Sequence, residues 1–109
     1  MEMQQKIHEE FKNERHFKTI IQTTSIELFY RFMYFKTLNP KNGLPITSHV
    51  EVRYSYLVTG WKMGYKSHFF QPELLMNYTS FDDFANDIID YFIKNNDIVL
   101  EKESQFSLF

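Results

Sequence analysis

Residues 50–69, VEVRYSYLVTGWKMGYKSHF, are the stretch that decides the predicted fold. Apolar and polar side chains alternate on both sides of Thr59-Gly60, and a period of two is typical of half-buried strands. Thr59-Gly60 has the composition of a two-residue turn, so we predict an antiparallel β-hairpin. This turn pairs Tyr54 with Tyr65 and gives the hairpin one nearly all-apolar face, which must be covered by other elements.

The outward positions of the predicted hairpin are mostly polar. Those that could contact phosphate are Arg53, Lys62, Lys66 and His68. Glu51 faces His68 in the predicted register, and the two could form an acid–base pair of a small hydrolase or an ordinary exposed ion pair. The chain is acidic overall and carries no nucleic-acid-binding fingerprint, so solvation explains the cations and we expect no direct binding of nucleic acid.

Two helices are predicted before the hairpin. Apolar residues recur at helical spacing at Met3, Ile7, Phe11, Phe17 and Ile21. Thr24 and Glu27 then form a capping-box pattern ahead of residues 26–38, which we interpret as a second, largely buried helix. The aromatic content of residues 26–38 also suits a strand, and the Asn39-Pro40 pair would end either element.

An acidic helix is predicted after the hairpin. Ser80 has the N-cap pattern with Asp83, and Asn95-Asn96 ends the helix. Its apolar side consists of Phe81, Phe84, Ala85, Ile88, Ile89 and Phe92, and its outside carries Asp82, Asp83, Asp87 and Asp90. The predicted fold is therefore α+β, with two N-terminal helices, a central hairpin and a C-terminal acidic helix. Residues 97–101 have the composition of a short last strand.

Length and composition restrict the class of protein. The 109 residues fit one small domain, which we place at 1–101, followed by a polar tether and tail at 102–109. Aromatic residues make up 18% of the chain and supply large core side chains. There is no cysteine, no apolar run of membrane-spanning length and no signal-peptide core, so we expect a cytoplasmic protein without a membrane partner.

The chain ends in Gln105-Phe106-Ser107-Leu108-Phe109. This segment resembles the pentapeptide by which bacterial polymerases, mismatch-repair proteins and replication regulators bind the DNA sliding clamp, commonly Gln-Leu-Ser/Asp-Leu-Phe. Gln105, Ser107, Leu108 and Phe109 match their positions, and Phe106 replaces the usual Leu. The resemblance covers five residues and implies a partner rather than a fold.

The resemblance also implies a role for each matching residue. Gln105 would donate and accept hydrogen bonds at the edge of the clamp cleft, while Leu108 and Phe109 would fill its apolar pocket. The expected function is that of a replication or repair accessory or regulator, such as a phage or mobile-element inhibitor or recruiter. Alternatively, Phe106, Leu108 and Phe109 close the core as an edge strand, or the tail serves as another linear motif.

A second function remains open for the acidic helix. Asp82, Asp83, Asp87 and Asp90 could imitate nucleic-acid phosphates and inhibit a nucleic-acid-binding enzyme, as an anti-defence protein does, or they could be a solvated helix face. The four histidines have no metal-ligand spacing, and no catalytic sequence motif occurs. We therefore expect a binding protein rather than an enzyme, with no metal, cofactor or small-molecule ligand.

Overall fold

A four-stranded antiparallel sheet forms the centre of the computed structural model, which describes residues 6–101. The strands lie in the order of the chain: β1 (Arg15–Ile21), β2 (Thr24–Arg31), β3 (Ser48–Tyr56) and β4 (Lys62–Phe70). One α-helix, α1 (Phe81–Lys94), follows the sheet, and two 3-10 helices span Glu9–Phe11 and Pro72–Asn77.

The prediction of two N-terminal helices is wrong. Residues 15–21 and 24–31 form strands joined by a two-residue turn at Gln22-Thr23, and both turn residues have positive φ, as this kind of hairpin turn requires. The spacing of Phe17 and Ile21 does not distinguish a helix from a strand, because residues four apart share a face in both. Within the described residues before β1, only a short 3-10 helix forms.

The segment predicted as the second helix is a central strand followed by a long loop. Ile26, Leu28 and Tyr30 alternate towards the core, which is a strand period, but Phe29 on the opposite side obscured the alternation. β-Branched and aromatic side chains pack well on a pleated surface, and here they decide the outcome. The break expected at Asn39-Pro40 is confirmed, because no strand or helix lies between β2 and β3.

The central hairpin is confirmed, but its predicted register is wrong. Four residues connect Tyr56 to Trp61, whose carbonyl accepts from the Tyr56 amide at 2.7 Å, and a bulge follows on β4. Tyr54 therefore pairs with Gly64 instead of Tyr65. A shift of one residue moves every β4 side chain to the other face, so Tyr65 and Phe69 lie on the face that was expected to be polar.

The C-terminal acidic helix is confirmed. Ser80 is its N-cap, and the Ser80 hydroxyl accepts a hydrogen bond from the Asp83 amide at 3.4 Å. Asn95 caps the other end. The short last strand over residues 97–101 does not form; residues 97–100 are irregular, Glu101 is helical, and Ile98 and Leu100 are buried.

The core lies between α1 and one face of the sheet. Apolar side chains of β2 and β3 on this covered face pack against rings from the helices and from β4, including Phe11, Phe70, Phe81 and Phe84. The hydroxyl of Tyr30 donates to the Phe11 carbonyl at 2.5 Å inside this cluster. In the described part of the chain, no helix is long and apolar enough to cross a membrane.

The other side of the sheet, here called the open face, carries none of these core residues. Within residues 6–101, the buried apolar side chains of the helices pack into the core on the covered face, and the open face is mostly half-buried or exposed. Its main side chains are His16, Lys18, Glu27, Phe29, Arg31, His49, Glu51, Arg53, Tyr65, Ser67 and Phe69.

Candidate functional site

The register of the strands places aromatic and charged side chains together on the open face. One row across the sheet consists of Arg31, His49 and Phe69; the next of His16, Phe29, Glu51 and Ser67; and the third of Lys18, Glu27, Arg53 and Tyr65. Residues directly opposite one another in an antiparallel pair have Cβ atoms about 5 Å apart, so neighbours in a row can touch. Each row contains at least one aromatic ring.

Phe29 is the centre of a stack that runs across three strands. The His16 ring lies parallel to it, with ring centroids 4.6 Å apart and planes 15° from each other. The guanidinium carbon of Arg53 lies 5.1 Å from the Phe29 centroid. Stacking of cations and imidazole on a phenyl ring holds these flexible side chains in one orientation.

A second aromatic cluster lies at the end of the open face where β3 begins. Phe69, Tyr34 and His49 contact one another, with ring centroids 4.7–4.8 Å apart. Burial lowers the pKa of His49; Glu51 raises it, whereas the charges of Arg31 and His68 lower it further. Because the net direction is downward from 6.5, His49 is mainly neutral at pH 7.

Three close pairs of side chains lie at the surface of the open face. Arg31 Nε lies 2.8 Å from Glu14 Oε1, and Arg53 Nε lies 2.6 Å from Glu51 Oε2. His16 Nε2 and Glu27 Oε2 are 2.9 Å apart. Exposed pairs of this kind contribute about 0–1 kcal/mol each, so a ligand can displace them at little cost.

Two shallow concavities give the open face a shape that could receive a ligand. One has a volume of about 500 Å³ and is lined by Arg31, Tyr34 and His49 among others. The second, of about 620 Å³, is lined by Tyr65 and Lys62 among others. Glu51 and Arg53 line both, so the two concavities adjoin across the middle of the sheet.

The open face has one contact that resembles part of a catalytic site. His49 Nε2 lies 2.5 Å from Ser67 Oγ, which is a nucleophile–base geometry. Within residues 6–101, however, no hydrogen bond joins the other His49 nitrogen to a carboxylate that would orient the ring. No group of side chains in the described chain could hold a metal ion.

The structure separates the hairpin residues that were predicted to act together. Arg53 lies on the open face, whereas Lys66 and His68 lie on the covered face at the sheet edge. Glu51 pairs with Ser67 and points away from His68, so the predicted acid–base pair of Glu51 and His68 does not form.

The predicted acidic surface is present on the outside of α1. Asp82, Asp83, Asp87 and Asp90 are all exposed. Two of them have partners, because the Tyr78 hydroxyl donates to Asp87 at 2.9 Å and Lys94 Nζ lies 2.9 Å from Asp90. Asp82 and Asp83 occupy the first turn, where carboxylates stabilise the helix dipole.

The predicted clamp-binding residues Gln105, Phe106, Ser107, Leu108 and Phe109 lie outside the described residues. The residue that precedes this tail is anchored. Glu101 is 1% exposed, and its carboxylate accepts hydrogen bonds from the Thr23 hydroxyl and from the Val58 and Thr59 amides. Its own amide donates to the Thr24 hydroxyl at 2.8 Å. The tail therefore begins beside the two hairpin turns.

Burial and hydrogen bonding act in opposite directions on the Glu101 carboxyl. Desolvation raises its pKa, but the hydrogen bonds from Thr23, Val58 and Thr59 outweigh burial and hold the pKa below its usual value. Glu101 is consequently ionised at neutral pH and stabilises both turns as an acceptor.

Comparisons with protein-family models, with curated proteins and with solved structures find no match for this chain. The candidate sites are therefore judged on their own chemistry.

The aromatic residues of the open face were not among the predicted site residues. In the predicted register Tyr65 lay on the apolar face, Phe29 and Tyr34 belonged to the predicted second helix, and His49 was part of no predicted site. One signal was available: Phe29 interrupts the polar side of the alternation Ile26, Leu28, Tyr30. A single exposed ring is common on protein surfaces, so this signal alone did not identify a site.

Proposed function

We propose that this chain binds the bacterial DNA sliding clamp through residues 105–109 and acts as a replication or repair accessory or regulator. The observation that carries the proposal is the pentapeptide itself, with Gln105, Leu108 and Phe109 at the positions that matter most for such peptides. A protein with this partner works in the bacterial cytoplasm.

The anchoring of Glu101 supports the proposal by placing the start of the tail. Four peptide units separate Glu101 from Gln105, and a fully extended chain of that length spans at most about 14 Å. A clamp that held the peptide would therefore lie close to the hairpin turns around Thr23 and Thr59, which Glu101 connects. The folded domain would cover clamp surface next to the peptide cleft.

The expected affinity of the peptide alone is modest. Burying Leu108 and Phe109 would remove about 300 Å² of apolar surface from water, which corresponds to about 7 kcal/mol before the cost of ordering the tail. Ordering costs about 1 kcal/mol or more per residue, so burial of these two side chains by itself supports only binding weaker than micromolar.

Calorimetric titration of purified clamp tests the proposal. Changing both Leu108 and Phe109 to Ala should remove most of the affinity, and Gln105→Ala should weaken it by about 1–2 kcal/mol because oriented hydrogen bonds are lost. Ser104→Ala, just outside the motif, is the matched control and should bind normally. Absence of measurable binding by the wild-type chain would contradict the proposal.

The alternative function is phosphate mimicry by Asp82, Asp83, Asp87 and Asp90 on α1, directed at a basic groove of a nucleic-acid-binding enzyme. Their exposure supports it, whereas the engagement of Asp87 by Tyr78 and of Asp90 by Lys94 argues for a solvated helix face. Salt distinguishes the two functions, because mimicry weakens steeply with ionic strength and burial of Leu108 and Phe109 does not.

A further inference from the structure

The open face exposes aromatic rings that the core does not use. Tyr65 is 63% exposed, Phe69 50% and Tyr34 37%. Tyr65 and Phe69 lie four residues apart on β4, which corresponds to about 13 Å along a strand. Tyr65 is therefore a stacking position separate from Phe69, whose ring contacts Tyr34 with centroids 4.8 Å apart.

Guanidinium groups lie beside these rings in the same cross-strand rows. Arg31 shares a row with Phe69, and Arg53 is directly opposite Tyr65. Both arginines also line the concavity of about 500 Å³. Aromatic stacking positions interleaved with cations are the arrangement that binds unpaired bases and their phosphates.

We propose that the open face binds single-stranded DNA, with bases stacked on Tyr65, Phe69 and Tyr34 and with backbone phosphates held by Arg31 and Arg53. The choice of DNA over RNA rests on the proposed clamp partner; the choice of a single strand rests on the geometry alone. In a duplex the faces of the bases are already stacked on one another, so the exposed rings would have nothing to bind.

The ion pairs of the open face permit this exchange of partners. Arg31 and Arg53 are each held by one glutamate, Glu14 and Glu51, and the arginine side chains remain 51% and 63% exposed. A guanidinium binds phosphate in a bidentate manner and more strongly than it binds an exposed carboxylate through a single nitrogen. Phosphate can therefore replace Glu14, whose side chain is 69% exposed, more readily than Glu51, whose side chain is 24% exposed.

The distribution of charge favours the open face over the rest of the surface. The cations Lys18, Arg31, Arg53 and Lys62 lie on it, against the three carboxylates Glu14, Glu27 and Glu51. The opposite layer presents the exposed aspartates of α1, with Lys94 in its last turn. A polyanion is repelled by α1 and is directed to the sheet.

Fluorescence anisotropy with a labelled oligothymidine tests the proposal on the full chain. We expect saturable binding at low salt that weakens at about 0.15 M salt. Tyr65→Ala should reduce the affinity about tenfold through lost stacking, and Tyr91→Ala is the matched control because Tyr91 is a 52% exposed tyrosine on α1. Arg53→Gln should also weaken binding, whereas Lys94→Gln on α1 should not. Thermal melting of each variant verifies that it is folded.

Several outcomes would overturn the proposal. These are no binding by the wild-type chain, an equal loss in Tyr65→Ala and Tyr91→Ala, or equal affinity for a duplex. Binding of oligouridine without oligothymidine would overturn the assignment of DNA. The chain without residues 105–109 should bind the oligonucleotide normally, and Tyr65→Ala should bind the clamp normally, so the failure of one proposal is distinguishable from the failure of the other.

Discussion

Glu101 accepts a hydrogen bond from the backbone amide of Thr59 at 2.8 Å, although 42 residues separate them in the chain. Its other oxygen accepts from the Thr23 hydroxyl, also at 2.8 Å. One carboxylate thus joins the β1–β2 turn to the β3–β4 turn and fixes the end of the described chain against both. A charged residue at the end of the predicted last strand is a buried structural acceptor.

The free energy of unfolding should depend on pH through the ionisation of the Glu101 carboxylate. Because the pKa of Glu101 is lower in the folded protein than in the unfolded chain, its stabilising effect is complete above the ordinary carboxyl pKa of about 4.3 and is lost as the pH falls through the lower folded value. Glu101→Gln should unfold at a lower urea concentration at pH 7, and its difference from wild type should shrink on acidification. Glu73→Gln, at an exposed position, is the control; an unchanged difference across the pH range would contradict this prediction.

Adjacent phenylalanines on β4 test the register of the hairpin. Phe70 is 8% exposed on the covered face, whereas Phe69 is 50% exposed on the open face. Phe70→Ala should therefore cost about 3–5 kcal/mol of unfolding free energy, and Phe69→Ala should cost about 1 kcal/mol or less. Chemical denaturation measures both. The opposite order would restore the register predicted from a two-residue turn at Thr59-Gly60.

A substitution in the β1–β2 turn should stabilise the protein. Gln22 has φ of 47° and an exposed side chain, and a residue with a Cβ rarely adopts this conformation. Asn tolerates positive φ better, so Gln22→Asn should raise the unfolding free energy by about 0.5–1 kcal/mol. Gln71→Asn, where φ is −74°, should produce no gain. Equal effects at the two positions would mean that backbone strain at Gln22 is not the cause.

The N-cap of α1 should contribute measurably to stability. Ser80→Ala removes the acceptor for the Asp83 amide and should cost about 1 kcal/mol. Thr79→Ala changes the exposed preceding residue, which is not the cap, and should alter the melting temperature little. A melting temperature that falls as far for Thr79→Ala as for Ser80→Ala would contradict the assignment of the cap.

The sequence predicted correctly those parts of the fold that depend on residues close together in the chain. The helix from Phe81 to Lys94 was predictable because its N-cap, its apolar side and its final Asn95-Asn96 all lie within one segment. The inward side of β3 was predictable for the same reason, since Val50 and Val52 alternate with polar residues. The loop before β3 followed from its proline and glycine content.

The candidate site on the open face was not predictable in the same way. Phe29, Arg53 and Tyr65 come from three different strands, and only the register brings them into adjacent rows. A bulge after Lys62 set that register. The sequence does not reveal this bulge, because the residues on both sides of the strand are aromatic or basic.

The sequence by itself determined the boundaries of the acidic helix, the presence of a central hairpin and the clamp-like pentapeptide, because each depends on residues close together in the chain. Tertiary structure alone decided that residues 15–31 are strands rather than helices, which face of β4 is buried, and that Glu101 is an internal acceptor. Those outcomes depend on contacts between distant segments: a strand is stable only beside its partner, and a carboxylate is buried only where distant donors surround it.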